Sequence, residues 1–130
     1  MPQKDIEMIL TRQLASCLAM PVMLVDPDGN LVFYNEHAEP ILGIRYEETG
    51  AVPVKEWPLM FHPLDKEGNP MDRANLPLFI ALREQRPAHR KFWLRGFDGI
   101  VRSIEATALP LIGQSERMTG TVVIFWETAK

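Results

Sequence analysis

The sequence predicts an α+β fold, with one antiparallel sheet and its helices built from separate stretches of chain. Three observations predict it. Asp26-Pro27-Asp28-Gly29-Asn30 and Gly96-Phe97-Asp98-Gly99 each stand between two apolar runs, where they read as hairpin turns. The runs they separate, with one more near the end, give five strands: Pro21–Asp26, Leu31–Tyr34, His89–Arg95, Ile100–Leu109 and Thr121–Trp126. The first and last are apolar at consecutive positions, Val22 to Val25 and Val122 to Trp126, as strands covered on both faces are. Those two therefore belong in the middle of the sheet, with the charged third and fourth strands farther out.

The remaining elements follow from spacing. Between Lys4 and Met20, Ile6, Ile9, Leu10, Leu14, Cys17 and Leu18 recur at the period of an amphipathic helix, which Pro21 ends. Asn35 is placed to cap a short helix through Leu42, closed by Gly43, and Pro40 limits its regularity. From Ile44 to Arg73 there is no sustained period. Pro53, Pro58, Pro63 and Pro70 break it into short helical turns and loops that carry Trp57 and Phe61 as buried aromatics. Pro77 suits the first turn of a helix that ends before Pro87 and buries Leu78, Phe79, Ala81 and Leu82. In His89–Arg95 the residues Arg90, Phe92 and Leu94 share one face, and the pattern is that of an edge strand. Ile104, Ala106 and Ala108 form the apolar face of the next strand, and residues 113–120 read as a polar loop.

Composition narrows the function. A chain of 130 residues that is 46% hydrophobic is one domain, able to fold without metal or disulfide staples. One Cys, and a charged start at Gln3, Lys4, Asp5 and Glu7, favour a reducing cytoplasmic setting. The longest apolar run, Cys17 to Val25, is too short to span a bilayer. A net charge of -3 argues against binding nucleic acid, and the cluster of Arg83, Arg86, His89, Arg90, Lys91 and Arg95 reads as a charged strand edge that resists aggregation.

Catalysis finds no support. Cys17 lies on the apolar stripe of the first helix, where a cysteine behaves as a small hydrophobe rather than a thiolate paired with His37, His62 or His89. Those histidines and Asp65 lack metal-ligand spacing, and no ordered set of nucleophile, base and oxyanion donor exists. The chain reads as a non-enzyme.

Taken in order, Asp26-x-Asp-Gly-Asn, Phe33-Tyr34-Asn35-x-x-Ala38 and Leu42-Gly43 resemble the opening half of a PAS domain. Leu76-Pro77-Leu78 with Ala81-Leu82-Arg83, then Asp98-Gly99-x-x-Arg102, Pro110-Leu111 and Gly120 before Val122 to Phe125, are similar to the second half in bacterial sensory PAS domains. The resemblance runs from about Leu14 to Glu127. It implies a five-stranded antiparallel sheet in the order 2-1-5-4-3, helices on one face and an N-terminal amphipathic helix. Pro40 departs from the usual pattern, as does Glu127-Thr128 where many relatives carry Asp-Ile-Thr ahead of an output helix. The division implied is a dimerisation helix over residues 1–20, the PAS domain over 21–127 and the start of an output linker over 128–130.

The resemblance implies a sensory module that binds a small apolar or aromatic ligand, dimerises, or does both, to regulate an effector domain or partner protein such as a kinase, cyclase, phosphatase or transcription regulator. The alternative is a pure protein-interaction module. The ligand pocket expected is lined by Phe33, Trp57, Phe61, Phe79, Leu82, Ile104, Ala106 and Phe125, with Ala106 and Ala108 leaving room. The homodimer expected forms through Ile6, Ile9, Leu10, Leu14 and Leu18. Which cofactor the module takes, if any, is open. The helix from Leu78 to Gln85 lacks the His that haem PAS domains use, and no Cys follows the first short helices as flavin-adduct chemistry needs. The residues therefore argue against both groups.

Overall fold

The computed structural model describes residues 6–113 and 117–128, and the side chains of all of these except 6, 7 and 58. Six strands are present: β1 (Val22–Val25), β2 (Leu31–Tyr34), β3 (His62–Leu64), β4 (Ala88–Arg95), β5 (Val101–Ile112) and β6 (Met118–Glu127). They form one antiparallel sheet in the order β2-β1-β6-β5-β4-β3. The helices are α1 (Ile6–Cys17), α2 (Glu39–Leu42), α3 (Tyr46–Thr49), α4 (Trp57–Met60) and α5 (Pro77–Glu84). The two strands apolar on both faces, β1 and β6, are adjacent and both interior, but the central pair is β6 and β5, so the strand Val101–Ile112, expected farther out, lies nearer the middle than β1.

The sheet exceeds the expected count by β3. This strand fell in the proline-rich stretch read as loops, because Pro63 masks a run of only three residues. As a result β4 is not the edge along its whole length: β3 covers it from Trp93 to Arg95. The loop before the last strand is also shorter than expected, since β6 begins at Met118 and pairs with Ile112 across a register irregularity. Lys4, at the start of the expected first helix, lies outside the described residues, as do the last two residues of the expected linker.

Two layers of side chains are buried on opposite faces of the sheet. On the inner face Val25, Leu31, Tyr34, Phe92, Leu94, Ile104, Ala106, Val123 and Phe125 meet α2, α4 and α5 through Ile41, Leu42, Trp57, Leu78 and Ala81. On the outer face α1 lies across β1 and β6, burying Ala15 with Val22 and Leu24 beside Met8, Leu18, Val122 and Ile124. Alternation along each strand assigns the side chains: Val123 and Phe125 go in, Val122 and Ile124 go out.

Glycine is required where these layers touch. Gly120 in β6 has φ 150°, and a Cβ there would strike the terminal methyl of Met8 on α1 and approach the Val25 carbonyl to 2.6 Å. Gly29, at φ 92°, closes the β1–β2 turn under Val54 and Phe79. Asp26 stiffens that turn, its Oδ1 accepting from the backbone N–H of Asp28 and of Asn30, both at 2.9 Å.

Candidate functional site

The space between the inner face of the sheet and the helices holds an apolar cavity of about 50 Å³. Its walls are Met23 and Val25 of β1, Leu31 of β2, Phe92 and Leu94 of β4, Ile104 and Ala106 of β5 and Val123 and Phe125 of β6, closed by Leu42, Trp57, Phe61 and the segment Leu76-Pro77-Leu78. Trp57 is held by its Nε1–H, which donates to the Gly29 carbonyl at 3.1 Å, so the tight glycine turn presents the acceptor that orients the indole. Phe79 stacks on the far side of that indole at 5.9 Å, with the rings 13° from parallel.

Of the eight expected lining residues, Trp57, Phe61, Ile104, Ala106 and Phe125 come together here. Phe33 does not. A register shift between Leu24 and Val25 lets Leu31 and Tyr34 both turn inward, which leaves Phe33 on the outer face. There its ring takes the Arg12 guanidinium at 4.5 Å and the edge of Tyr46 at 5.1 Å. Phe79 supports Trp57 from behind, and Leu82 packs at the margin of the core, because the α5 side chains aimed at the sheet are Leu78 and Ala81. The expected list missed Met23, Val25 and Phe92, which alternation places on the inner face, and Leu31, which the register shift turns inward.

The volume limits what enters. About 50 Å³ is room for water-sized occupants, whereas roughly 150 Å³ holds benzene and drug-sized ligands occupy on the order of 300 Å³ or more. Any larger apolar ligand has to displace Trp57, Phe61 or α5 itself. Tyr34 stands behind the wall, its ring edge-on to Phe61 at 6.4 Å. Its buried hydroxyl donates to the Ile44 carbonyl at 3.0 Å and meets the Thr49 hydroxyl at 3.2 Å, and burial pushes its phenol up from the ordinary value.

The second feature is α1. Its inner face is Met8, Ala15 and Leu18, so the expected stripe divides. Leu10 and Leu14 point away from the sheet, with 56% and 59% of their surface exposed, while Ile9, 42% exposed, borders the groove between α1 and the sheet beside Leu24 and Val32, and Met20 follows at 42%. Leu18, expected in the dimer contact, packs on the sheet instead. Cys17 is exposed rather than buried, because it lies on the outward side of a helix whose inner face is narrow. The side chain of Ile6 lies outside the described ones.

A single buried residue ties α1 to everything beneath it. The Asn35 Nδ2 donates to the carbonyls of Ala15 at 2.8 Å and Met20 at 2.7 Å, while its Oδ1 accepts from the backbone of Val22 at 3.0 Å and Ala38 at 3.1 Å. The predicted cap is therefore real, and it also holds the end of α1 and the start of β1. At the other terminus Thr128 continues the β5–β6 ladder, its N–H donating to the Ser103 carbonyl at 2.8 Å.

The histidines stand apart from the cavity. His62 is in β3, not a loop, and His89 is on the outer face of β4, its Nδ1 2.6 Å from the Thr107 hydroxyl. Among the described residues no group of three or more His, Cys, Asp or Glu is placed to hold a metal, and no helix is long and apolar enough to cross a membrane.

No family model matches the chain, and no curated protein matches it in sequence. Solved structures do match. A PAS domain from Colwellia psychrerythraea superposes with a TM-score of 0.67 at 19% identity, covering 92% of this chain and 97% of that one. A LOV protein from Rhodobacter sphaeroides gives 0.73 at 12% identity, covering 97% of this chain and 70% of that one. The LOV domain of a blue-light activated histidine kinase from Erythrobacter litoralis gives 0.65 at 18% identity, covering 87% and 99%.

Proposed function

We propose that this chain, which has the PAS fold, is a signalling module that works by self-association through α1 and passes the state of its core to an effector domain or partner protein. The observation that carries this reading is the outward stripe of α1. Ile9, Leu10 and Leu14 are large apolar side chains presented to solvent by a helix whose opposite face is already satisfied by the sheet. Two such stripes packed together bury what each exposes. On this reading the dimerisation segment is residues 1–20, of which α1 is the described helix, the sensory core is 21–127, and the way out to an effector is 128–130, beginning at Thr128, whose N–H still bonds to Ser103.

Ligand sensing is the second reading, favoured by one observation: the cavity is walled by apolar residues alone, with small Ala106 between Ile104 and Phe125. A small apolar or aromatic ligand would enter by displacing Trp57 or Phe61. The narrow cavity favours the interaction reading over this one, and no catalytic role is assigned.

Light scattering on the intact chain and on Leu10→Asp tests the proposal. A dimer that the charge converts to a folded monomer supports it. A monomeric intact chain, or a dimer indifferent to the substitution, overturns it. Thermal shift with small aromatic compounds tests the second reading, since occupancy at 100 times the dissociation constant adds about 2.7 kcal/mol. Ala106→Leu should remove that gain.

A further inference from the structure

Trp57 and Phe61 both close the cavity, but they are held differently. The Trp57 indole N–H donates to the Gly29 carbonyl at 3.1 Å. Its face lies against Phe79 with the rings 13° from parallel, and Phe79 is covered in turn by the Arg73 guanidinium, 5.4 Å from the ring centroid. The turn beside this stack has no slack, since a Cβ on Gly29 would come within 3.0 Å of Val54 and 3.2 Å of Phe79. Moving the indole therefore breaks a hydrogen bond and a stack together, and leaves the buried Gly29 carbonyl without its donor.

Phe61 has no such tether. Its side chain carries no hydrogen-bonding group, and its ring meets Tyr34 edge-on at 6.4 Å, near the outer limit for such pairs. The backbone places it at a junction, because Phe61 caps the single turn of α4 and β3 begins at the next residue. Solvent is close along the chain on either side: Leu59 is 75% exposed and His62 half-buried, although Phe61 itself is buried. Rotation about its side-chain bonds swings the ring without disturbing its own N–H, which donates to the Trp57 carbonyl at 2.9 Å and holds the turn.

What the displaced ring leaves behind decides what fits. The vacated space has the size of one benzene ring and keeps Tyr34 as a wall. It opens onto the cavity of about 50 Å³, which admits about one or two further heavy atoms, since a water occupies about 30 Å³. The remaining wall is aliphatic and aromatic, and its one side-chain N–H, that of Trp57, is committed to Gly29. The Tyr34 hydroxyl is turned toward Ile44 and Thr49. A carboxylate or an ammonium group would be desolvated here without a partner, which excludes charged ligands. We propose that Phe61 is the gate of the cavity and that the ligand is a neutral benzene ring with a short apolar substituent, which takes the place of the Phe61 ring against Tyr34 while Trp57 stays fixed. This rests on the ligand-sensing reading and names the ligand class and the moving part of that same site.

The test uses the intact chain with ethylbenzene as probe and benzoate as its charged counterpart. Ethylbenzene should raise the melting temperature and benzoate should not. In the ethylbenzene complex, nuclear magnetic resonance should show the probe against the Tyr34 ring, the contact of Phe61 with Tyr34 lost, and the Trp57 indole N–H still protected from exchange. Phe61→Ala leaves the niche open beforehand, so it should bind benzene about tenfold or more tightly than the intact chain, which must first populate its open state. Should that variant not fold, Phe61→Leu carries the same comparison. A complex in which Phe61 keeps its contact with Tyr34 while the Trp57 N–H is freed overturns the gate and leaves the ligand reading standing. Benzoate stabilising as well as ethylbenzene overturns the ligand class. An intact chain indifferent to ethylbenzene overturns the gate and the ligand reading together.

Discussion

Asn35→Asp separates two jobs that one side chain performs. The carboxylate keeps an oxygen where Oδ1 accepts from Val22 and Ala38, so the cap and the entry to β1 survive. It replaces the Nδ2 donor with an acceptor aimed at the carbonyls of Ala15 and Met20, which lie 2.8 and 2.7 Å away. Two buried hydrogen bonds contribute about 1 kcal/mol each, and a charge left against carbonyls at a residue 3% exposed adds several more. The full penalty, on the order of 4 kcal/mol or more, applies only if α1 stays docked. Undocking α1 gives up the burial of Met8, Ala15 and Leu18, roughly a few kcal/mol, so the loss should settle near that lower figure with α1 released. Hydrogen exchange on the whole chain, beside urea unfolding, reads both quantities. The expected result is α1 amides exchanging freely while those of β5 and β6 stay protected. Asn35→Ala should cost about a further 1 kcal/mol, because it also removes the cap. Protonation restores one donor, so the deficit against the native protein should shrink at acid pH and grow as pH rises. Unchanged α1 protection, or protection lost equally everywhere, would refute the coupling.

Thr121 is wholly buried, and its hydroxyl has no partner among the described residues, so Thr121→Val should stabilise by about 1 kcal/mol and raise the melting temperature by several degrees. A lower melting temperature would show that the hydroxyl is satisfied after all. Asp98 takes hydrogen bonds from Arg102, at 2.9 Å, and from the Ile100 N–H, which hold its carboxyl below the ordinary value. A group depressed on folding stabilises above its unfolded value, and that contribution is lost as pH falls through the folded one. Urea midpoints should therefore fall more steeply on acidification in the native protein than in Asp98→Asn, and identical slopes would remove Asp98 from the account.

Most of the sheet was legible because its signals are local. An apolar run bounded by Asp-Pro-Asp-Gly-Asn can scarcely be anything but a strand entering a turn, and the two-faced apolarity of Val22–Val25 and Val122–Trp126 placed both strands side by side in the sheet interior, though β5 and not β1 shares its centre with β6. What stayed hidden depends on contacts distant in sequence. The strand His62–Leu64 exists because Arg95 and Trp93 are there to pair with it and Met71 binds its outer side, none of which a three-residue run containing proline announces. The face of Phe33 depended on a register shift that leaves Val32 unpaired in its own strand, and the orientation of α1 on the sheet having room for Met8 at Gly120. Helical periodicity gave the stripe Ile9, Leu10, Leu14 but not its direction. The small inner face at Ala15, with Asn35 bonded to its carbonyl, holds α1 on the sheet and leaves the larger apolar side chains exposed, the feature on which the proposed self-association rests. Under the proposed self-association, a displacement of β1 or of the short turn Glu36–Ala38 would reach the outer face of α1 through Asn35, because both bond to the same side-chain amide that holds the end of α1.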